Sequence, residues 1–491
     1  MSEQSILTSF NRSFWLVNMM ELFERGAYYG MNSVLAVYLT NKVAEGGLGF
    51  SEVSVGFLQA IVYCLTYIIP ILGGALAEKY GYRRMLSVAF CLLSAGYFAA
   101  GFFTSYGAIF AALAIMAAGS GLFKPIVSGT IARTTTEQNS GFGFGIYYWM
   151  INLGAFFAPI IVSVIKGFSW RYVFIASALY TAAMLLPTLI LFKDPELPGK
   201  AVSLRKTAEN ALMVLGDARF MLLIFVYSFF WILYFQSFGT VLWYLRDFID
   251  KSAVNAFMAK FLGQGFDFGE EFVTTINAGT IILLQVLISR LVKNMKAIPT
   301  MCSGMLIGAL GFLTLALTRN GWWFILGIVV FSIGEMTAHP KYYSYIGMVA
   351  PQDRKAVYMG YAFLYGVIGS LFGSSFGAFL YTEIAKPGNP RLFFMIFFVL
   401  GILGFFGLIF YNRYFSGDTP ATNQLARKVV LILYALLILA GLGMIGSNLF
   451  GAEMNYKKLI SAFILLLVGS GGFWVTSRYG RVAPELTTRS A

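Results

Sequence analysis

Apolar stretches of about 20 residues recur along the chain. They fall at about 14–40, 52–77, 85–104, 107–132, 141–165, 171–192, 219–245, 271–293, 297–318, 322–350, 355–383, 391–414, 428–447 and 458–476. Each is long enough for an α-helix to cross a hydrocarbon core of ~30 Å. The pattern predicts an all-α membrane protein of fourteen spans, with a six-helix bundle over 14–192 and a cytoplasmic linker over 193–218. A second six-helix bundle is expected over 219–414, then two additional transmembrane helices and a cytoplasmic tail over 415–491. Residues 1–13 lack a charged segment leading into a cleavable apolar stretch, so the first apolar segment is expected to be a retained helix.

Composition agrees with this reading. The chain is 58% hydrophobic and 12% charged, whereas a soluble protein covers its surface with roughly a quarter charged residues. The net charge of +13 could suggest nucleic acid, but the basic residues lie in short clusters between apolar runs. With a cytoplasmic N-terminus, about 21 of the 35 basic residues fall on the cytoplasmic side and about 11 outside, while the acidic residues divide evenly. That bias in the basic residues alone orients a membrane protein with both termini in the cytoplasm. Cys64, Cys91 and Cys302 lie inside apolar runs without metal-ligand spacing and read as packing residues. No Ser–His–Asp set, phosphate loop or metal cluster is visible, so neither an enzyme nor a metal or cofactor is expected.

The informative residues are charges within the spans. A charge at mid-bilayer costs roughly 2.5–3.5 kcal/mol on insertion scales and is usually functional. Glu21, Glu24, Arg25, Lys124, Glu335 and Lys341 are such residues, though Lys341 lies near enough to a helix end to snorkel. Glu21, Glu24, Arg25, Tyr28 and Tyr29 form one helical stripe, which cannot face lipid. Two carboxylates one turn apart cannot both be ionised cheaply in a low dielectric, so one is expected to exchange a proton. Lys124 directly precedes the helix-breaking Pro125 and is expected to pair with Glu21 or Glu24, or with an anionic group on a solute. Asn152 and Asn277 read as polar contacts between helices. Glu335 could meet a cationic group, and His339, the single histidine, reads as a satisfied polar contact.

After the second span, Gly73-Gly74-Ala75-Leu76-Ala77-Glu78-Lys79-Tyr80-Gly81-Tyr82-Arg83-Arg84 resembles the signature of the major facilitator superfamily. Four further motifs resemble the proton-dependent oligopeptide transporter family within it. They are Glu21-x-x-Glu24-Arg25 with Tyr28-Tyr29-Gly30, Gly119 to Pro125, Tyr148-x-x-Ile151-Asn152-x-Gly154, and Glu335 with Pro340, Ser344 and Ala350-Pro351. The resemblance covers about residues 14–414. It implies a major-facilitator-type fold and a monomeric, proton-coupled symporter of di- and tripeptides in a plasma membrane, the bacterial inner membrane in particular. It also implies roles: Arg25 and Lys124 for the peptide carboxylate, Glu335 for the amino terminus, Asn152 and Asn277 for the backbone. Tyr28, Tyr29 and Tyr67 would line the pocket, and Glu21 and Glu24 would carry the proton. Protonation would free Lys124 from a carboxylate.

The sequence departs from the pattern at Gly26, at Asn32 and at Phe235-Gln236, where an arginine–acid pair is usual. An outer gate that closes without an ion pair is therefore expected. A usual tryptophan has gone near Ala362, which would widen the pocket. A same-fold carrier of another zwitterion, anion or peptide-like compound, and a non-transporting receptor on the same scaffold, are the alternatives.

Overall fold

The computed structural model describes residues 9–136, 139–195, 204–351, 354–449 and 456–479, and among these no strand forms. Fourteen long helical segments follow one another. They are α1 (Arg12–Thr40), α2 (Glu52–Tyr80), α3 (Tyr82–Phe102), α4 (Tyr106–Thr134), α5 (Ser140–Ile165) and α6 (Trp170–Ala183, continued by Leu185–Ile190). A linker helix, Leu204–Gly216, leads into α7 (Ala218–Gln236, continued by Thr240–Phe248), α8 (Phe272–Leu291), α9 (Ala297–Leu317) and α10 (Gly321–Val349). Next come α11 (Lys355–Tyr361 and Leu364–Leu380, closed by a π turn at Tyr381–Ala385), α12 (Pro390–Tyr414), α13 (Pro420–Leu449) and α14 (Tyr456–Tyr479). The tail expected at the C-terminus lies largely outside the described residues.

Thirteen of these segments are long and apolar enough to cross a membrane, and the chain is a multi-pass membrane protein. The exception is α1, which has the length, at 29 residues, but carries Glu21, Glu24 and Arg25 at its centre. Those charges are buried against other helices, so α1 spans as an interior element. Its start is fixed by Asn11, whose side chain accepts from the Phe14 N–H, one of the donors a helix start leaves unpaired. Ser51, Asp217, Asn320 and Asn389 cap α2, α7, α10 and α12 in the same way.

The packing repeats with a two-fold pattern. In the first half α1 packs on α5 and α6, α2 on α4, and α3 on α4 and α6; α7 to α12 repeat each of these pairs in order. Between the halves, α2 packs on α11 and α5 on α8. These two cross-pairs place the faces of α1, α4, α7 and α10 around a central space. Large apolar side chains such as Leu283, Leu291, Phe157 and Leu179 point outward, as lipid contact requires. The α13–α14 hairpin stands outside the twelve, with α13 against α7 and α14 against the linker helix. Arg219 at the start of α7 pairs with Asp418 at 2.7 Å and fixes the root of the hairpin.

Lys341 leaves the set of interior charges. Its Nζ reaches the carbonyls of Met295 (2.8 Å) and Lys293 (3.3 Å) at the exposed α8–α9 turn. The snorkelling expected from its position is what the helix end permits.

Candidate functional site

A cavity of about 900 Å³ opens between the halves. It runs from Glu21, Arg25 and Tyr29 at mid-helix to Glu78, the linker-helix residues Thr207 and Asn210, and the start of α11. The chamber is therefore open at the linker end. Lys124, Tyr67 and Asn152 line it from the first half, and Asn277, Glu335, Trp231 and His339 from the second.

The stripe on α1 divides into two roles. Arg25 grips Glu24 with two hydrogen bonds, Nε to Oε2 at 2.5 Å and Nη2 to Oε1 at 2.7 Å. Ser120 on α4 adds a third, donating to Glu24 Oε1 at 3.1 Å. This pair is buried, and the Arg25 guanidinium also lies over the Tyr28 and Tyr29 rings, at 4.8 and 5.8 Å. Glu21 is different. Its Oε1 is 3.6 Å from Arg25 Nε, and among the described residues its buried Oε2 accepts no hydrogen bond of normal length, though the Tyr147 hydroxyl stands beside the carboxyl. Glu21 faces the cavity, whereas Glu24 and Tyr28 lie behind its wall.

Lys124 pairs with neither glutamate here, which leaves the other expected partner, an anionic group on a solute. Its Nζ is 3.5 Å from the Thr66 carbonyl and 5.1 Å from the Tyr67 ring centre. Among the described residues no carboxylate lies within ion-pair distance, because Arg25 already occupies Glu24. Across the chamber, Asn277 donates to Glu335 Oε2 at 3.0 Å and to Ser332 at 2.9 Å. Asn277 thus orients the acid. Asn152, which lines the chamber, donates to the Tyr148 carbonyl of its own helix at 2.9 Å.

Close helix approach makes this geometry possible. A Cβ on Gly154 would sit 2.9 Å from the Gly26 N and the Leu22 carbonyl, so only glycine lets α5 lie on α1 beside Arg25. The replacement of an aromatic residue by Gly26 belongs to the same contact, with Ala158 3.7 Å from where its Cβ would be. Ala362 does not widen the pocket as expected. It is fully buried, its carbonyl accepts from the Tyr342 hydroxyl at 2.8 Å, and Phe363 and Tyr365 line the chamber instead.

The far end is closed in two layers. The inner layer is uncharged: the Tyr63 hydroxyl donates to Asn32 at 2.7 Å, and its ring stacks on Phe235 at 5.3 Å. Gln59 joins it by donating to the Phe238 carbonyl at 2.7 Å. At Asn32 and Phe235 the two halves meet without an ion pair. The rim beyond them is ionic. Glu52 at the start of α2 pairs with Arg246 at 3.7 Å and with Lys386 past the end of α11. Lys166 past the end of α5 meets Glu271 at the start of α8 at 2.5 Å. Each cross-pair of helices therefore carries its own ionic fastening, at helix ends outside the motifs.

The aromatic wall of the second half was also missed. Trp231, Tyr234, Tyr343 and Tyr365 line the chamber beside His339. The i, i+4, i+7 spacing of Tyr227, Trp231 and Tyr234 is the signal that could have revealed it.

A profile of the Major Facilitator Superfamily matches residues 22–374 and 247–487. The chain is 32% identical over 216 residues to the Dipeptide and tripeptide permease B of Aliivibrio fischeri, 42% of this chain and 41% of that protein. It is also 32% identical over 155 residues to the Uncharacterized transporter YclF of Bacillus subtilis, 31% of each chain. These matches span less than half of either relative's length. In structure it resembles a POT family transporter solved in complex with 5-aminolevulinic acid, with a TM-score of 0.71 at 20% identity over 82% of this chain and 96% of the other. The chain belongs to the Major Facilitator Superfamily and has the fold of its POT transporters.

Proposed function

We propose that this protein is a proton-coupled symporter that imports di- and tripeptides by alternating access. The observation that carries the reading is the arrangement of charge around one chamber. Unpaired Lys124, with Arg25, faces it from the first half, and Glu335 from the second. A free peptide is a chain with a carboxylate at one end and an ammonium at the other, and opposite charges on the two sides of one chamber would hold both ends at once. Arg25 and Lys124 would take the carboxylate, Glu335 the amino terminus, and Asn152 and Asn277 the backbone amide, with Tyr29 and Tyr67 as walls. The names of curated relatives such as Dipeptide and tripeptide permease B support the substrate class.

Proton coupling falls to Glu21. Glu24 is committed to Arg25 and Ser120, while Glu21 makes no comparable pair of bonds among the described residues and borders the chamber. A proton arriving from the far side would reside there and keep Glu21 from competing for Lys124 while the peptide carboxylate is held, and its loss would favour release. On the orientation given by the basic residues, both termini and the linker end are cytoplasmic, and this conformation is the inward-open one in a bacterial inner membrane. The protein acts as a monomer, with the proton as coupling ion and no cofactor.

Uptake of dialanine into proteoliposomes tests this. An inward proton gradient should drive accumulation, and Lys124→Ala should reduce it at least tenfold. A carrier of another zwitterion is the second reading, favoured by the 5-aminolevulinic acid complex of the similar structure. It would take up that compound and ignore dialanine.

A further inference from the structure

Resting on the peptide reading above, we propose that His339 is a specificity-determining residue, lining a subsite for the first side chain of the peptide and favouring an aromatic side chain that carries a hydrogen-bond acceptor. His339 follows Glu335 by four residues on α10, so the two stand one turn apart on one helix face, and both border the chamber. A peptide whose amino group is held at Glu335 has its first side chain branching from the adjacent carbon. That side chain must enter the space beside His339.

The wall of that space is aromatic. Trp231 stacks on Tyr365 with centroids 4.3 Å apart, and the imidazole lies 5.2 Å from Trp231, 5.0 Å from Tyr343 and 5.8 Å from Tyr365. Aromatic pairs favour such stacked and edge-on contacts at 4.5–7 Å. The Tyr343 and Tyr365 hydroxyls bond each other at 3.0 Å, so they offer little to a guest. His339 does offer something. Its Nδ1 lies 3.3 Å from the hydroxyl of Tyr227, which is fully buried behind it. The second ring nitrogen makes no hydrogen bond among the described residues. With Tyr227 donating to Nδ1, the imidazole presents an N–H donor to the chamber. A tyrosyl side chain supplies both the ring and the acceptor, whereas a phenylalanyl side chain supplies only the ring and leaves the donor unpaired.

Competition against dialanine uptake in proteoliposomes tests the assignment, with Tyr-Ala, Phe-Ala, Ala-Tyr and Ala-Phe as competitors. In the wild type Tyr-Ala should compete about tenfold better than Phe-Ala, and Ala-Tyr no better than Ala-Phe. The ratio is read within each variant, so a change in overall uptake does not disturb it. His339→Phe should bring the Tyr-Ala to Phe-Ala ratio to about one. Tyr227→Phe, which leaves the imidazole in place without its hydroxyl partner, should lower the ratio part of the way. A wild-type ratio near one, or a ratio that survives both substitutions, overturns the proposal. Absence of any dialanine uptake by the wild type would instead defeat the peptide reading on which it rests.

Discussion

Lys166 lies 2.5 Å from Glu271, and this contact ties the far end of α5 in one half to the start of α8 in the other. Glu270 adds a second carboxylate at 3.7 Å. Burial pulls the Lys166 ammonium down, yet Glu271 and Glu270 hold it above the ordinary lysine value. Burial also pushes the Glu271 carboxyl above the usual carboxylate range, more strongly than Lys166 draws it down.

Both groups thus hold their protons more tightly in the closed state than when exposed. By linkage, acid favours closure at this rim, and the contribution of Glu271 is lost as pH rises through its raised value. Lys166→Gln leaves a buried carboxylate without a partner, a costly arrangement. At neutral pH that variant should open at the far end, and at pH 5 it should close again as Glu271 takes up a proton. Labelling of a cysteine placed at Phe238, in a background lacking Cys64, Cys91 and Cys302, reports the opening. Several-fold faster labelling of the variant at pH 7 than at pH 5 is expected, and equal labelling would show that the pair does not hold the gate.

Gly56 supplies a steric test of the other cross-pair. A Cβ there would clash with the Ala378 Cβ and lie 2.7 Å from the Ser374 carbonyl on α11. Gly56→Leu should keep α2 and α11 apart at the far end, leaving the protein correctly inserted and transport reduced at least tenfold. Normal uptake by that variant would mean that the two helices do not need to meet.

Glu21 and Glu24 should fail in different ways. Glu21→Gln removes the carboxyl that borders the chamber. It should abolish proton-driven accumulation while dialanine exchange across an equal-pH membrane persists. Glu24→Gln removes the partner of a buried arginine, a loss of about 3–5 kcal/mol when one member of such a pair goes. Its thermal stability should drop, and both modes of transport with it. Identical behaviour of the two variants would dissolve the distinction drawn between them.

The sequence made the spans legible because a lipid-facing helix needs an apolar length, and it made the site legible because charge inside such a helix has few explanations. The bases of α1 and α4 and the acid of α10 do share one chamber, as their motifs implied. The division of labour between Glu21 and Glu24 was hidden, since it depends on Ser120 donating from a helix far along the chain. Glu52, Lys166, Glu271 and Lys386 were hidden for another reason. Charged residues at helix ends are the norm, and only the tertiary meeting of α2 with α11 and α5 with α8 turns them into fastenings.

Blocking the two ends of a dipeptide in turn bears most directly on the claim that opposite faces of one chamber hold opposite ends of the substrate. Dialanine, its N-acetyl form and its C-amide are compared as competitors in wild type, Glu335→Gln and Lys124→Ala. The wild type should reject both blocked forms by tenfold or more. Glu335→Gln should lose discrimination against the acetyl form alone, and Lys124→Ala against the amide alone. Equal acceptance of all three compounds by the wild type, or discrimination untouched by either substitution, would contradict the account.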